Sequence, residues 1–248
     1  MPARGLRREL RWLRAYAIGS SLLMIVLTLE AFRSQARQRF EEIDVERLNI
    51  VEPNGSPRLV FTNTPRSPGL IEKGLPFGDT ALAGKRGGII FYNDDATEAG
   101  GIAVRGHRIA GGTVAHGGLS FDRFEQEDVV MLDYDEEAGR HSQGLKIADR
   151  SDVPLKQIIE ALAPIQRMPN GPTRDAALQR FRVRYGARPG GVIRLFVGRD
   201  TAANSTIDLK DGQGRTRLRL VVDTAGRPAI EFLNAGGQVE RSIRGSTR

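Results

Sequence analysis

The 248-residue chain has no cysteine, three histidines and one tryptophan, and aromatic residues make up only 6% of it. Without cysteine there are no disulfide staples and no thiolate zinc sites, so the fold rests on core packing and hydrogen bonds. The histidines, His107, His116 and His141, lie in glycine-rich or turn-like stretches without His-x-x-x-His spacing. A helical metal site needs that spacing, and they read as surface residues. Neither a Gly-x-Ser-x-Gly elbow nor a Gly-x-x-x-x-Gly-Lys loop is present. The sequence therefore designates no catalytic, cofactor-binding or metal-binding residue, and no cofactor is expected.

Long apolar runs are also missing, with one exception. From Ala15 to Leu29 no residue is charged, and Ile18, Leu22, Leu23, Met24, Ile25, Val26, Leu27 and Leu29 leave no polar stripe. A soluble amphipathic helix would keep such a stripe. At ~1.5 Å per residue the uncharged stretch reaches only ~22 Å, whereas residues 12–32 reach ~31 Å and match the hydrocarbon core. Trp12 and Tyr16 suit an interfacial position, and Arg14 can snorkel to the headgroups. After the run, Phe32 and Arg33 do not suit a small-residue cleavage site. The segment reads as an uncleaved single-pass transmembrane helix, a signal anchor, over residues 12–32.

Arg4, Arg7, Arg8, Arg11 and Arg14 precede the uncharged run against Glu9 alone, while mixed charges follow it. By the positive-inside rule, residues 1–14 form a cytoplasmic basic tail and the remainder is extracytoplasmic. These five arginines and one glutamate contribute +4 of the net +7. The outer ~215 residues thus carry about +3 among interspersed charges, too little for a phosphate-binding patch, so nucleic acid is not an expected partner.

Residues 33–44 continue with apolar positions three or four apart and read as a helical stalk, a place where self-association is one reading. At Val45 the apolar period becomes two. Leu48 and Ile50, then Leu59 and Phe61, flank Pro53-Asn54-Gly55, a hairpin signal. Further strand-like runs are Gly88–Tyr92, Gly101–Arg105, Gly118–Asp122, Val129–Tyr134 and Gly144–Ala148, giving a first β-hairpin region over 45–150. Thr64 to Arg86 has no clear period and reads as irregular. Residues 151–185 read as a helical insertion: Ser151 or Asp152 caps a first helix with Pro154 in its first turn, and a second helix starts at Thr173 after Pro169-Asn170-Gly171-Pro172. The insertion is expected to divide two β regions, the second being the β-repeat region 186–248.

In that second region Asp211, Asp223 and Asn234 open turns at intervals of twelve and eleven residues. Gly55, Gly214 and Gly226 are each followed at plus four and plus six by an apolar pair: Leu59 and Phe61, Leu218 and Leu220, Ile230 and Phe232. Alternate residues share a sheet face, so each glycine sets the register of its pair. The expected fold is mainly β: an N-terminal transmembrane helix and short stalk, then antiparallel strand-turn repeats as a meander, roll or propeller-like array, interrupted by a helical pair.

The strings ERLNIVEPNG (residues 46–55), FYNDDATEAGG (91–101), FDRFEQED (121–128) and FVGRD (196–200) resemble an uncharacterised family of bacterial single-pass membrane-anchored proteins. The resemblance covers about residues 45–243 and has glycine where this chain has Ala96. It implies a bacterial source and no activity.

Two acidic loops offer oxygen ligands for a hard cation: Asn93, Asp94, Asp95 and Glu98, and Asp133, Asp135, Glu136 and Glu137. Neither has the ordered EF-hand pattern, and solvated hairpin turns are the simpler reading. Asp122, Glu125, Glu127 and Asp128 beside Phe121 and Phe124 offer carboxylates for glycoside cleavage, but that chemistry requires a fixed separation across a cleft. The expected partners are a lipid bilayer through residues 12–32 and an envelope protein or a second copy of the chain. Three roles compete: a membrane-anchored binding or scaffolding domain, an envelope hydrolase, and a cation-stiffened structural module.

Overall fold

The computed structural model describes residues 3–33, 39–77, 87–186, 188 and 190–245. It comprises two compact units, residues 1–44 and 45–248, which meet where the apolar period changes. The first unit is the helix α1 (Ala3–Arg33). Its Leu10–Leu29 segment is long and apolar enough to cross a membrane, and lies slightly earlier than the expected 12–32. Residues 39–46 form no helix, so the stalk expected over 33–44 is not helical there; residues 34–38 lie outside the described set.

The second unit is one open antiparallel sheet of twelve strands. In order across it stand β1 (Arg47–Val51), β2 (Pro57–Thr62), β5 (Gly88–Tyr92), β6 (Glu98–Ile109), β7 (Gly112–Asp122), β8 (Asp128–Glu137), β9 (Arg140–Asp149), β10 (Val192–Arg199), β11 (Ser205–Lys210), β12 (Thr216–Val222), β13 (Pro228–Leu233) and β14 (Val239–Arg244). Chain order and sheet order coincide. The result is a pure meander, and it leaves β1 and β14 as open edges.

Two excursions leave the meander. The first, in the stretch expected to be irregular, holds the small hairpin β3 (Ile71–Glu72) and β4 (Leu75–Pro76), turned by Lys73 and Gly74, both at positive φ. The second holds the helices α2 (Leu155–Gln166) and α3 (Pro172–Tyr185), and it does not divide two β regions. β9 and β10 on either side of it pair directly, from Val192 with Asp149 to Arg199 with Gln143. Ser151 does not cap α2 but accepts from the Val153 amide at 3.1 Å, and Pro154 occupies the cap position.

The turns repeat one chemistry. Residue i, which is Asn93, Asp200, Asp211, Asp223 or Asn234, accepts through its side chain from the amides of i+2 and i+4. Position i+3 is left-handed and donates back to the carbonyl of i. That position is Gly214, Gly226 or Gly237 in three turns and Ala96 or Ala203 in the others. Ala96, at φ +62°, thus holds the conformation for which glycine is the easy choice. An Asx side chain replaces a missing backbone partner, which is why Asp and Asn punctuate the strands.

The buried core is small. Val60, Ile90 and Tyr92 cluster under Ile71 of the first excursion, and Ile158, Ile165, Ala177 and Phe181 join the two helices. Most of the sheet lies outside both clusters.

Candidate functional site

Cross-strand partners point to the same face, so the register can be followed from edge to edge. One row runs Leu48, Phe61, Ile89, Ile102, Leu119, Leu132, Leu145, Val197, Ile207, Leu220, Ile230, Ile243. Every strand contributes an aliphatic or aromatic side chain. The next row on that face runs Ile50, Leu59, Phe91, Gly100, Phe121, Val130, Ile147, Leu195, Leu209, Leu218, Phe232, Arg241, with a single charge at its end. Across Gly100 the rings of Phe91 and Phe121 stack with their centroids 6.3 Å apart. The three apolar pairs expected to share a face do so.

This apolar face is the more exposed one: apart from Gly100, every residue of its two rows is exposed or half-buried. On β11 the usual pattern is reversed: Ile207 and Leu209 are 36% and 43% exposed, while Thr206 and Asp208 on the other side are 5% and 8% exposed. At ~25 cal/mol per Å² an uncovered apolar row forgoes the main force that stabilises sheets. Residues of β10 to β14 line an open groove of about 750 Å³ that includes Val197, Ile207, Leu220, Ile230 and Ile243.

Charge pairs hold the opposite face together. Asp208 accepts from Arg219 at 2.8 Å and from the Thr206 hydroxyl at 3.2 Å, and Arg219 reaches Glu231 at 3.9 Å. On β7 to β9, Lys146 lies 3.0 Å from Asp133 and 3.3 Å from Asp135, which meets His116 Nδ1 at 2.7 Å. Burial pushes the Asp135 carboxyl up, but the His116 hydrogen bond and the Lys146 charge outweigh it and hold it below the ordinary range. These are cross-strand ties on glycine-rich strands.

The other acidic residues are placed as follows. Asp94 pairs with Arg58 at 2.6 Å, and Asn93 and Asp95 cap their own turn. Glu136 accepts from Thr113 and Tyr134. Asp122, Glu125, Glu127 and Asp128 do share a cleft of about 310 Å³, together with Glu72 and Glu98, between the small hairpin and α2. Lys73 meets Glu125 at 2.9 Å, Arg150 meets Glu127 at 3.5 Å and Lys156 meets Glu72 at 3.3 Å. The same turn grips the helix: the Leu155 amide donates to the Glu125 carbonyl at 2.8 Å, and the Gln126 side chain donates to the Val153 carbonyl. His107 is exposed, and His141 lies 6.2 Å from the Tyr134 ring. Among the described residues no group of three or more acidic or histidine side chains is arranged to hold a metal ion.

The turn aspartates give the sheet an acid limit. Hydrogen bonds from the Arg227 amide and side chain hold Asp223 low; at Asp211 desolvation pushes the carboxyl up, but the Arg215 and Gln213 hydrogen bonds outweigh it and hold it low. A carboxyl lowered in the folded state adds stability above its unfolded value of about 3.9, and this is lost as pH falls through the folded value. Stability should therefore decline below about pH 4. The double variant Asp211→Asn with Asp223→Asn keeps the accepting oxygen, as Asn93 and Asn234 already do, and should show a flatter acid limb in urea midpoints measured against pH. An unchanged limb would show that these turns do not set it.

Compared with known proteins, the chain matches no family model, no curated protein and no solved structure. Its surface must be interpreted from its own geometry. Alternation in the sequence marks which residues share a face; the pairing register joins all twelve strands into one layer, and what packs on each face decides which side is exposed.

Proposed function

We propose that this is a bacterial envelope protein, held in the membrane by its N-terminal helix with the amino terminus cytoplasmic, that presents its sheet on the other side as a binding or scaffolding surface. One observation carries the reading: an unbroken apolar row across twelve strands, of which eight members are exposed and four half-buried. Contiguous exposed apolar surface of this extent marks an interaction site on soluble domains. The five arginines before the span and the resemblance in four ordered segments support the membrane and bacterial parts of the reading.

A photo-crosslinking residue at Leu220, on the apolar face, should give protein adducts in intact cells, and one at Val221, on the opposite face, should give none. Equal labelling at both positions, or at neither, would refute a binding role for this face. The shared acidic cleft favours a second reading, an envelope hydrolase. Under that reading Glu125→Gln abolishes a hydrolytic activity of the intact protein; under the first, it removes only the ion pair to Lys73 of the small hairpin, since the carbonyl that holds α2 is backbone.

A further inference from the structure

We infer that the apolar face of the sheet is covered by the same face of a second copy of this chain, an inference that rests on reading that face as a binding surface. Three observations favour a second copy over a lipid surface or an unrelated protein.

The first is size. Twelve strands at ~4.8 Å spacing make a ribbon ~53 Å long, and two rows ~7 Å apart make it ~14 Å wide. That is ~740 Å² on each copy and ~1,500 Å² in total, within the ~1,200–2,000 Å² of a stable protein interface. The second is chemistry: the two rows carry one charge, Arg241, so a copy placed face to face buries almost no ion. A two-fold interface requires a self-complementary patch, and a uniform apolar ribbon is one.

The third is shape. Neighbouring strands rotate by roughly 20–25°, so eleven steps turn the face of the sheet through more than half a revolution. A flat bilayer touches only a few strands of such a ribbon. A second sheet with the same twist can follow it along its length, as aligned sheets do in sandwiches. Twist decides against the membrane, and area makes the pair stable.

The absence of cysteine allows a clean test. Leu132 on β8 and Leu145 on β9 lie on the sixth and seventh strands, so a two-fold axis lying in the interface brings each near its equivalent. In membranes holding the full-length chain, Leu132→Cys and Leu145→Cys should oxidise mainly to disulfide dimers, while Ser142→Cys on the opposite face stays monomeric. Purified in detergent, the wild-type chain should have the mass of two protomers. The pair Leu132→Lys with Leu145→Lys should reduce this to one protomer while keeping its strand spectrum, because Leu132 is exposed and Leu145 is half-buried, so neither fills a core site. As a second disruption on other strands, Leu220→Lys with Ile230→Lys should do the same.

A monomeric wild type, a three-chain mass, or a dimer that survives both lysine pairs would overturn the inference. If the wild type is monomeric but Leu220 still crosslinks to another protein in cells, the binding reading stands and only the occupant is wrong. If Leu220 crosslinks to nothing, both fail.

Discussion

Gly198→Ala should destabilise the sheet by about 3 kcal/mol or more, at or beyond the upper end of ordinary overpacking, and Gly117→Ala should be nearly neutral. Gly198 pairs with Gly144 across the seam between β9 and β10. A Cβ on Gly198 would stand 2.0 Å from the Gln143 carbonyl oxygen and 2.7 Å from the Gly144 Cα. Its neighbours are backbone atoms of a paired strand, which cannot rotate away as a side chain can, so the ladder must part. At Gly117 an added Cβ meets nothing within 4 Å. Alanine there also restricts the unfolded chain, a stabilisation of about 0.4–1 kcal/mol where the backbone accepts it. The measurement is the urea midpoint of the two full-length variants against wild type. Equal midpoints would mean that the seam does not need its glycines.

The seam also separates what was legible from what was not. Strands with strong apolar alternation are readable to within a residue: the period indicates Gly88–Tyr92, Ser205–Lys210, Arg217–Val222 and Ala229–Leu233, and β5, β11, β12 and β13 begin and end there or one residue away. β6 to β9 are longer than their apolar content suggests, because Gly111 and Gly112, and Ala138 and Gly139, turn the chain tightly and let polar ends such as His107–Ile109 stay paired. Polar residues on such ends lack a hydrophobic mark, so only backbone pairing reveals them. The two helices suggested a boundary for the same reason. Local signals show that the chain leaves the sheet after Asp149, but the return of β10 to β9 is a contact between residues far apart in sequence.

The candidate surface was half legible. The plus-four and plus-six spacing after Gly55, Gly214 and Gly226 correctly placed each apolar pair on one face, since a period of two leaves no other choice. Whether that face is inside or outside depends on what packs against it. The available layers, the small hairpin and the helical pair, are too small to cover twelve strands. Ile71 covers Val60, Ile90 and Tyr92 on the opposite face, and α2 and α3 spend much of their apolar surface on each other. Exposure of the apolar face follows from that shortage of covering elements.

Two arginines placed in the first helix, Ile18→Arg with Leu22→Arg, should remove the protein from the membrane fraction. Both positions lie within the Leu10–Leu29 segment and one turn apart, so neither charge can be screened by facing elsewhere. Each arginine near the middle of a span costs about 2.5–3.5 kcal/mol for insertion, roughly 5–7 kcal/mol for the pair, and two aliphatic contributions are lost as well. Snorkelling rescues Arg14 at the edge, but a side chain at mid-span is too far from either surface for the same escape. Fractionation of cells and carbonate washing of the membranes read the outcome, and a variant that stays membrane-bound would mean that another part of the chain holds it there. The intact mass of the wild type separates anchor from leader: a membrane-bound chain that retains residues 1–29 is anchored by them, whereas a product beginning after the apolar run is a processed one. Orientation then follows from a thiol reagent that cannot cross the membrane. In the cysteine-free chain it should label Ser242→Cys from outside intact cells and leave Arg4→Cys untouched, because moving the four remaining arginines across the bilayer is the step that the charge asymmetry opposes.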